Sequence, residues 1–141
     1  MKRSGFKQKK TVPMKRGTLK KKSPQKISVL KRKLWEKFSK FIRERDKYTC
    51  FICGRKGEGG GMHAGHFIPK SVCGIALYFH EDNVHACCYH CNINLGGNLY
   101  EYSVKLGKEK VDELYKIKNQ VTEKWSVEKY EEMIQKYDSN N

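Results

Sequence analysis

Cys50-Phe-Ile-Cys53 and Cys88-Tyr-His-Cys91 are two C-x2-C pairs with 34 residues between them. A turn of this spacing aims two thiolates at one point, and two such turns complete a tetrahedral four-thiolate shell for zinc. Four protein ligands leave no open coordination position, so the predicted site is structural. It ties residue 50 to residue 91, and whatever lies between is an insertion longer than a compact zinc ribbon carries. Cys73 and Cys87 are left over. The step from Cys87 to Cys91 is wrong for a knuckle, and both read as free thiols.

The clip meets a need set by composition. Only 38% of the 141 residues are hydrophobic, a thin core that a bound metal would reinforce. No apolar run approaches the roughly 20 residues of a membrane span. No hydrophobic segment follows the basic start, so no secretory signal is expected. Six cysteines in such a chain point to a reducing cytosol and to metal or free thiols in place of disulfides.

Lys and Arg number 30 against 15 acids, a net charge of +15, and such an excess favours a polyanion, most commonly nucleic acid. The first 34 residues hold 14 of these cations and no acid. Lys20, Lys21, Lys22, Lys31, Arg32, Lys33, Arg43, Arg45 and Lys70 are the candidate phosphate contacts. Residues 1–27, with Pro13, Gly17 and Pro24 among lysines, read as a basic arm unable to bury apolar surface.

Order is expected to begin at Ser28, a candidate N-cap, with Leu30, Leu34, Phe38, Phe41 and Ile42 on one face of a helix running to about Arg45. YTCFIC (48–53) reads as a short strand closed by Gly54, GEGGG (57–61) as a hairpin loop, and MHAGHFIP (62–69) as the returning strand. A loop to about Glu81 and a short helix from CYHCN to Gly96-Gly97 follow. Helices are expected over 99–106 and 109–118, and a last one capped by Ser126 with Trp125 and Tyr130 as a hydrophobic staple. The organisation predicted is an arm (1–27), a helix (28–47), a zinc-clipped centre (48–98) and a helical region (99–141).

All five histidines fall within residues 63–90, a clustering that argues for a site. The order G-H-F-I-P, E-D-N, C-x-x-C-N resembles the HNH, or ββα-metal, endonucleases in their zinc-clipped form. The resemblance implies an α+β fold with a small zinc-stabilised ββα-metal centre flanked by helices. It also implies roles: His66 as general base, Asn83 as the residue pinning the loop that presents it, and Asn92 as ligand of a catalytic Mg2+ or Mn2+. That family usually carries Asp or His directly before the base, where this chain has Gly65. Another metal donor is therefore expected from His85, His63 or Asp82, with His85 ranked first.

The longer pattern KLWEKFSKFIRERDKYTCFICG, AGHFIP, EDNVHACCYHCN, LGGNLYEY, GKEKVDELYKIK and KWSVEKYEEMIQKY is similar to the NinG/Rap proteins of lambdoid phages, over roughly residues 30–137. That resemblance implies a phage or prophage recombination endonuclease acting on branched DNA, such as Holliday junctions and displacement loops, in the cytoplasm of the bacterial host. Symmetric cutting of a junction would call for a homodimer, for which the sequence carries no signature. A non-catalytic zinc-clipped DNA-binding protein would account for the charge and the cysteines equally well, but leaves His66, Asn83 and Asn92 as coincidences.

Overall fold

The computed structural model describes residues 24–57, 61–120 and 124–138; Lys20, Lys21, Lys22 and most of the basic arm lie outside them. Helix α1 (Pro24–Arg45) begins four residues before the expected cap. Proline suits a first helical position, because its φ is already helical and its missing N–H would have no partner there. Ser28 thus sits inside the helix and not at its start. Leu34, Phe38 and Ile42, spaced by four, are 0% exposed, with Leu30 and Phe41 packed beside them. Burying each such side chain is worth about 1.5–3 kcal/mol.

That face meets α5 (Val127–Asp138). The Tyr137 ring lies 5.2 Å from Phe38 and 5.0 Å from Phe41, with Tyr130 and Ile134 buried alongside. The start of α5 is as expected: Ser126 Oγ accepts from the Lys129 amide at 3.3 Å, and Trp125 packs 5.5 Å from Tyr130.

The sheet is a departure. Residues 48–53 are not a strand; only Thr49 and Lys56 pair, as one isolated bridge. Knuckle geometry takes priority: the Cys50 amide donates to Arg55 O and the Gly54 amide to Cys50 O, each at 2.8 Å, with Gly54 left-handed at φ 74. The hairpin instead joins β1 (Met62–His66) to β2 (Val84–Cys88), antiparallel, with His66 opposite Val84 and Met62 opposite Cys88. All five residues of β2 are buried, since both faces of this strand are covered.

Helix α2 (Ile75–Tyr78) occupies part of the expected 70–81 loop. After β2 a single π-helical turn spans His90–Asn94. It is closed by three left-handed residues, Gly96, Gly97 and Asn98, where the sequence predicted the end of a short helix. Helices α3 (Leu99–Leu106) and α4 (Lys108–Asn119) match expectation to within a residue at each end. The class is α+β, a two-stranded sheet among helices. One apolar cluster gathers Ile52, Met62, Phe67, Leu77, Tyr102 and Leu114 around the cysteines. The other sets Phe79 and Val84 against α1 and α5.

Candidate functional site

The two knuckles converge. The Sγ atoms of Cys50, Cys53, Cys88 and Cys91 all lie within 4.8 Å of one another, with Cys53 and Cys88 at 3.8 Å. Tetrahedral zinc with bonds of about 2.3 Å requires sulfurs about 3.8 Å apart, so the donor set fits a structural metal such as zinc. Burial pushes the Cys91 thiol up to about 12, helped by the neighbouring sulfurs. At Cys50 burial also pushes upward, but amides at Cys53, Cys88 and Ile52 donate to the sulfur and hold it down at about 7. A cation at the centre would remove this conflict by ionising all four. Cys87 stays outside the cluster, buried in β2 with its thiol pushed well up by burial. Cys73 lies apart as a partly buried free thiol.

His66 ends β1. Its Nε2 lies 3.0 Å from the Tyr78 carbonyl of α2; a carbonyl only accepts, so Nε2 carries the proton and Nδ1 keeps a lone pair. That Nδ1 is a buried polar atom with no hydrogen-bond partner among the described residues, and unpaired buried acceptors are rare enough to require a reason. The ring stacks on Trp35, 5.3 Å away at 25°. Burial lowers the imidazole to about 4, against the Tyr78 bond and with the help of Lys70, so His66 is neutral at physiological pH. It lines a cleft of about 290 Å3 whose walls also include Lys70, Asn92, Gly96, Gly97 and Leu99.

Asn83 is 0% exposed. Its Oδ1 accepts from the Ile68 amide at 2.8 Å, while Nδ2 donates to Leu77 O at 3.0 Å and to Ile68 O at 3.3 Å. Leu77 immediately precedes Tyr78, whose carbonyl holds His66. Asn83 therefore ties together both ends of the loop from Ile68 to Leu77 that leads to the Tyr78 carbonyl. Trp35 and Tyr78, which hold the His66 ring, are contacts that sequence reasoning missed. Tyr78 acts through its backbone, which leaves no side-chain signal.

Asn92 follows Cys91 on the π turn and reaches the opposite wall. Its Nδ2 donates to His63 Nδ1 at 3.1 Å, and its Oδ1 points at the bare α-carbon of Gly65. His85 lies elsewhere: it stacks on Phe51 at 3.9 Å, and its Nδ1 lies 3.0 Å from Tyr102 Oη. Since the Tyr102 hydroxyl donates to Gly65 O at 3.1 Å, His85 must donate to Tyr102. This buried histidine is lowered to about 4 by burial and then by Arg45; neither it nor His63 is among the residues lining the cleft, but His63 touches Asn92, which is. Asp82 is paired with Lys110 at 2.5 Å.

Of the candidate phosphate contacts, Lys70 lines the cleft with its amine 3.9 Å from the centre of Trp35, and Lys31 sits 4.1 Å from the centre of Tyr78. Arg32 and Lys33 are exposed and Arg43 is partly buried. Arg45 departs from expectation. Its guanidinium donates to Glu81 O, to Val84 O and twice to Asp46, so it clamps the fold and has little left for a phosphate.

A family model described as Bacteriophage Lambda NinG protein matches residues 2–141. Protein ninG of Escherichia phage 933W is 33% identical over 123 residues, which cover 80% of this chain and 59% of that protein. Protein ninG of Escherichia phage lambda is 33% identical over 114 residues, covering 74% and 54%. Protein ninG of Salmonella phage P22 is 33% identical over 100 residues, covering 64% and 48%. The chain thus spans about half the length of these curated relatives. No solved structure matches it.

Proposed function

The chain belongs to the bacteriophage NinG family, and from that premise and the cleft at His66 we propose that it is a divalent-metal-dependent DNA endonuclease of the HNH type. The observation that carries this is the unpartnered Nδ1 of His66, a lone pair held in one tautomer beside a cleft. A histidine kept only for packing would have no need of that arrangement. The basic excess, with Lys70 in the wall of the cleft, supports a DNA phosphate as the cleft's occupant.

His66 Nδ1 takes a proton from a water as the water's oxygen attacks phosphorus. The P–O bond to the 3′ oxygen breaks, and that oxygen takes a proton from solvent water, leaving a 3′ hydroxyl and a 5′ phosphate. Lys70 and Lys31 hold the phosphate, their amines steadied against Trp35 and Tyr78. The arriving anion favours the charged imidazole, which raises the basicity of His66 in the complex above its depressed value in the free protein. Asn92 would offer its side-chain oxygen, now turned toward Gly65, to a divalent ion. Such an ion, Mg2+ or Mn2+, supplies charge neutralisation at the phosphate and its leaving oxygen. The four-cysteine metal takes no part beyond holding β2 and the π turn together.

The substrate proposed is branched recombination DNA, Holliday junctions or displacement loops, in the host cytoplasm, and symmetric cutting would use a homodimer. No helix among the described residues is long and apolar enough to cross a membrane. The test is a nicking assay on a synthetic junction with His66→Ala. Binding should be unchanged while cleavage falls by about 10²–10⁴. Wild-type cutting by His66→Ala would remove His66 as the base, and a wild-type protein that binds the junction without cutting it would leave a zinc-clipped DNA-binding protein as the better reading.

A further inference from the structure

Position 65 cannot supply a metal ligand in this fold. A Cβ added to Gly65 would lie 2.8 Å from Cys87 Sγ and 3.1 Å from Cys87 Cβ, against a short, buried side chain that has nowhere to move. It would also lie 2.9 Å from Asn92 Oδ1. The space beside the strand is already filled, partly by Asn92 itself. His63 precedes Gly65 by two residues and so shares its face of β1, opposite Cys87 in the sheet. Its Nδ1 and the Asn92 amide nitrogen are 3.1 Å apart. Two donors on adjacent vertices of an octahedral ion, with bonds of about 2.1 Å, stand about 3.0 Å apart. A half-turn of the Asn92 amide exchanges Nδ2 for Oδ1 and presents an oxygen and an imidazole nitrogen at that separation.

We propose that His63 and Asn92 together hold the catalytic divalent ion, His63 replacing the ligand that position 65 has no room to carry. The assignment rests on the nuclease reading above. Two protein donors leave four octahedral positions for water and phosphate, so the ion binds well only with DNA present. An imidazole donor also favours first-row transition ions over Mg2+.

The experiment uses the full chain with its structural metal, carrying His66→Ala so that the DNA stays intact. Mn2+ is titrated by electron paramagnetic resonance with and without a synthetic junction. One Mn2+ should bind on DNA, and adding His63→Gln should weaken it by more than about tenfold, the least that loss of a residue merely supporting a ligand costs. Because a double variant can fail to fold, a second measurement uses only the His66→Ala protein. Mn2+ should broaden the His63 ring resonances before those of His85 or His80. Unchanged Mn2+ affinity in the His63→Gln protein, or broadening centred on His85, overturns this assignment and leaves the nuclease reading standing. Absence of any Mn2+ uptake on DNA overturns both.

Discussion

Replacing Asn83 tests how the loop that presents His66 is held. Asn83→Ala removes three hydrogen bonds, but their losses are unequal. The Ile68 amide and carbonyl lose the side-chain partners they have, while Leu77 O still accepts from the His80 amide at 3.2 Å. Each newly bare buried group costs about 1–3 kcal/mol, and the vacated side-chain volume adds to that, for a total of about 3–7 kcal/mol. Against the 5–15 kcal/mol typical of a small domain, the protein should fold but melt well below wild type. Asn83→Asp keeps the acceptor for Ile68 N and turns a second oxygen toward the Leu77 and Ile68 carbonyls. That repulsion favours the protonated acid and raises its folded pKa above the unfolded value. The penalty should therefore shrink as pH falls, because a protonated carboxyl can donate to a carbonyl. Urea denaturation followed by circular dichroism at pH 7.5 and 5.5 measures both. An Asn83→Ala protein within about 1 kcal/mol of wild type, or an Asp variant whose deficit grows on acidification, would refute the loop-clamp argument.

Removing the metal or one of its ligands should cost folding free energy outright: Cys91→Ser is expected to lower Tm and the metal content together, and an unchanged Tm with no bound metal would end the structural role. His66 and His85, both lowered to about 4 in the fold from about 6.5 unfolded, bind fewer protons folded than unfolded between those values. Stability should then fall as pH drops from about 6.5 toward 4, by up to about 1.4 kcal/mol per pH unit for each group. His66→Gln should flatten that slope by its own share, as read from urea midpoints across the range; an unaltered slope would mean that His66 is not held neutral by the fold.

What is legible in the sequence follows from strict spacing. The four-cysteine cluster rests on two identical pairs, the buried face of α1 on a four-residue repeat, and the start of α5 on a cap and its staple. The hairpin is hidden because YTCFIC has strand-like composition, while the knuckle at Cys50 spends its backbone bonds on a turn. The true partner, V-H-A-C-C, shows no alternation because helices and the first knuckle cover both of its faces. Arg45 reads as one more basic residue of an exposed face. Its role depends on the carbonyls of Glu81 and Val84, and backbone acceptors brought from 36 and 39 residues away leave no trace in local composition. The Tyr78 carbonyl that sets the His66 tautomer is hidden for the same reason. His85 stands out as a histidine beside the motif, yet strand parity puts it on the Gly65 face, where Phe51 and Tyr102 already pack.

The two walls of the cleft are held by different parts of the fold, and the register of one short hairpin aligns them. Asn92 follows Cys91 directly, so the metal clip fixes its backbone. His66 depends on Trp35, Tyr78 and Asn83, which answer to α1 and α2. Between them lie five paired positions in β1 and β2, and a slip of one residue would send every side chain to the opposite face. Five pairs in a two-stranded sheet are marginal by themselves. The fold adds a clamp from the end of α1: Arg45 donates to the Val84 carbonyl at 3.1 Å, and Asp46 accepts from the Ala86 amide at 2.7 Å. The Phe51 amide donates to Ala86 O at 2.8 Å, joining the first knuckle to the same strand. The outer backbone groups of Val84 and Ala86 are thus secured, by the end of the helix at one residue and by helix and clip together at the other. Loss of the Arg45 guanidinium would loosen the register before it weakened contact with any phosphate.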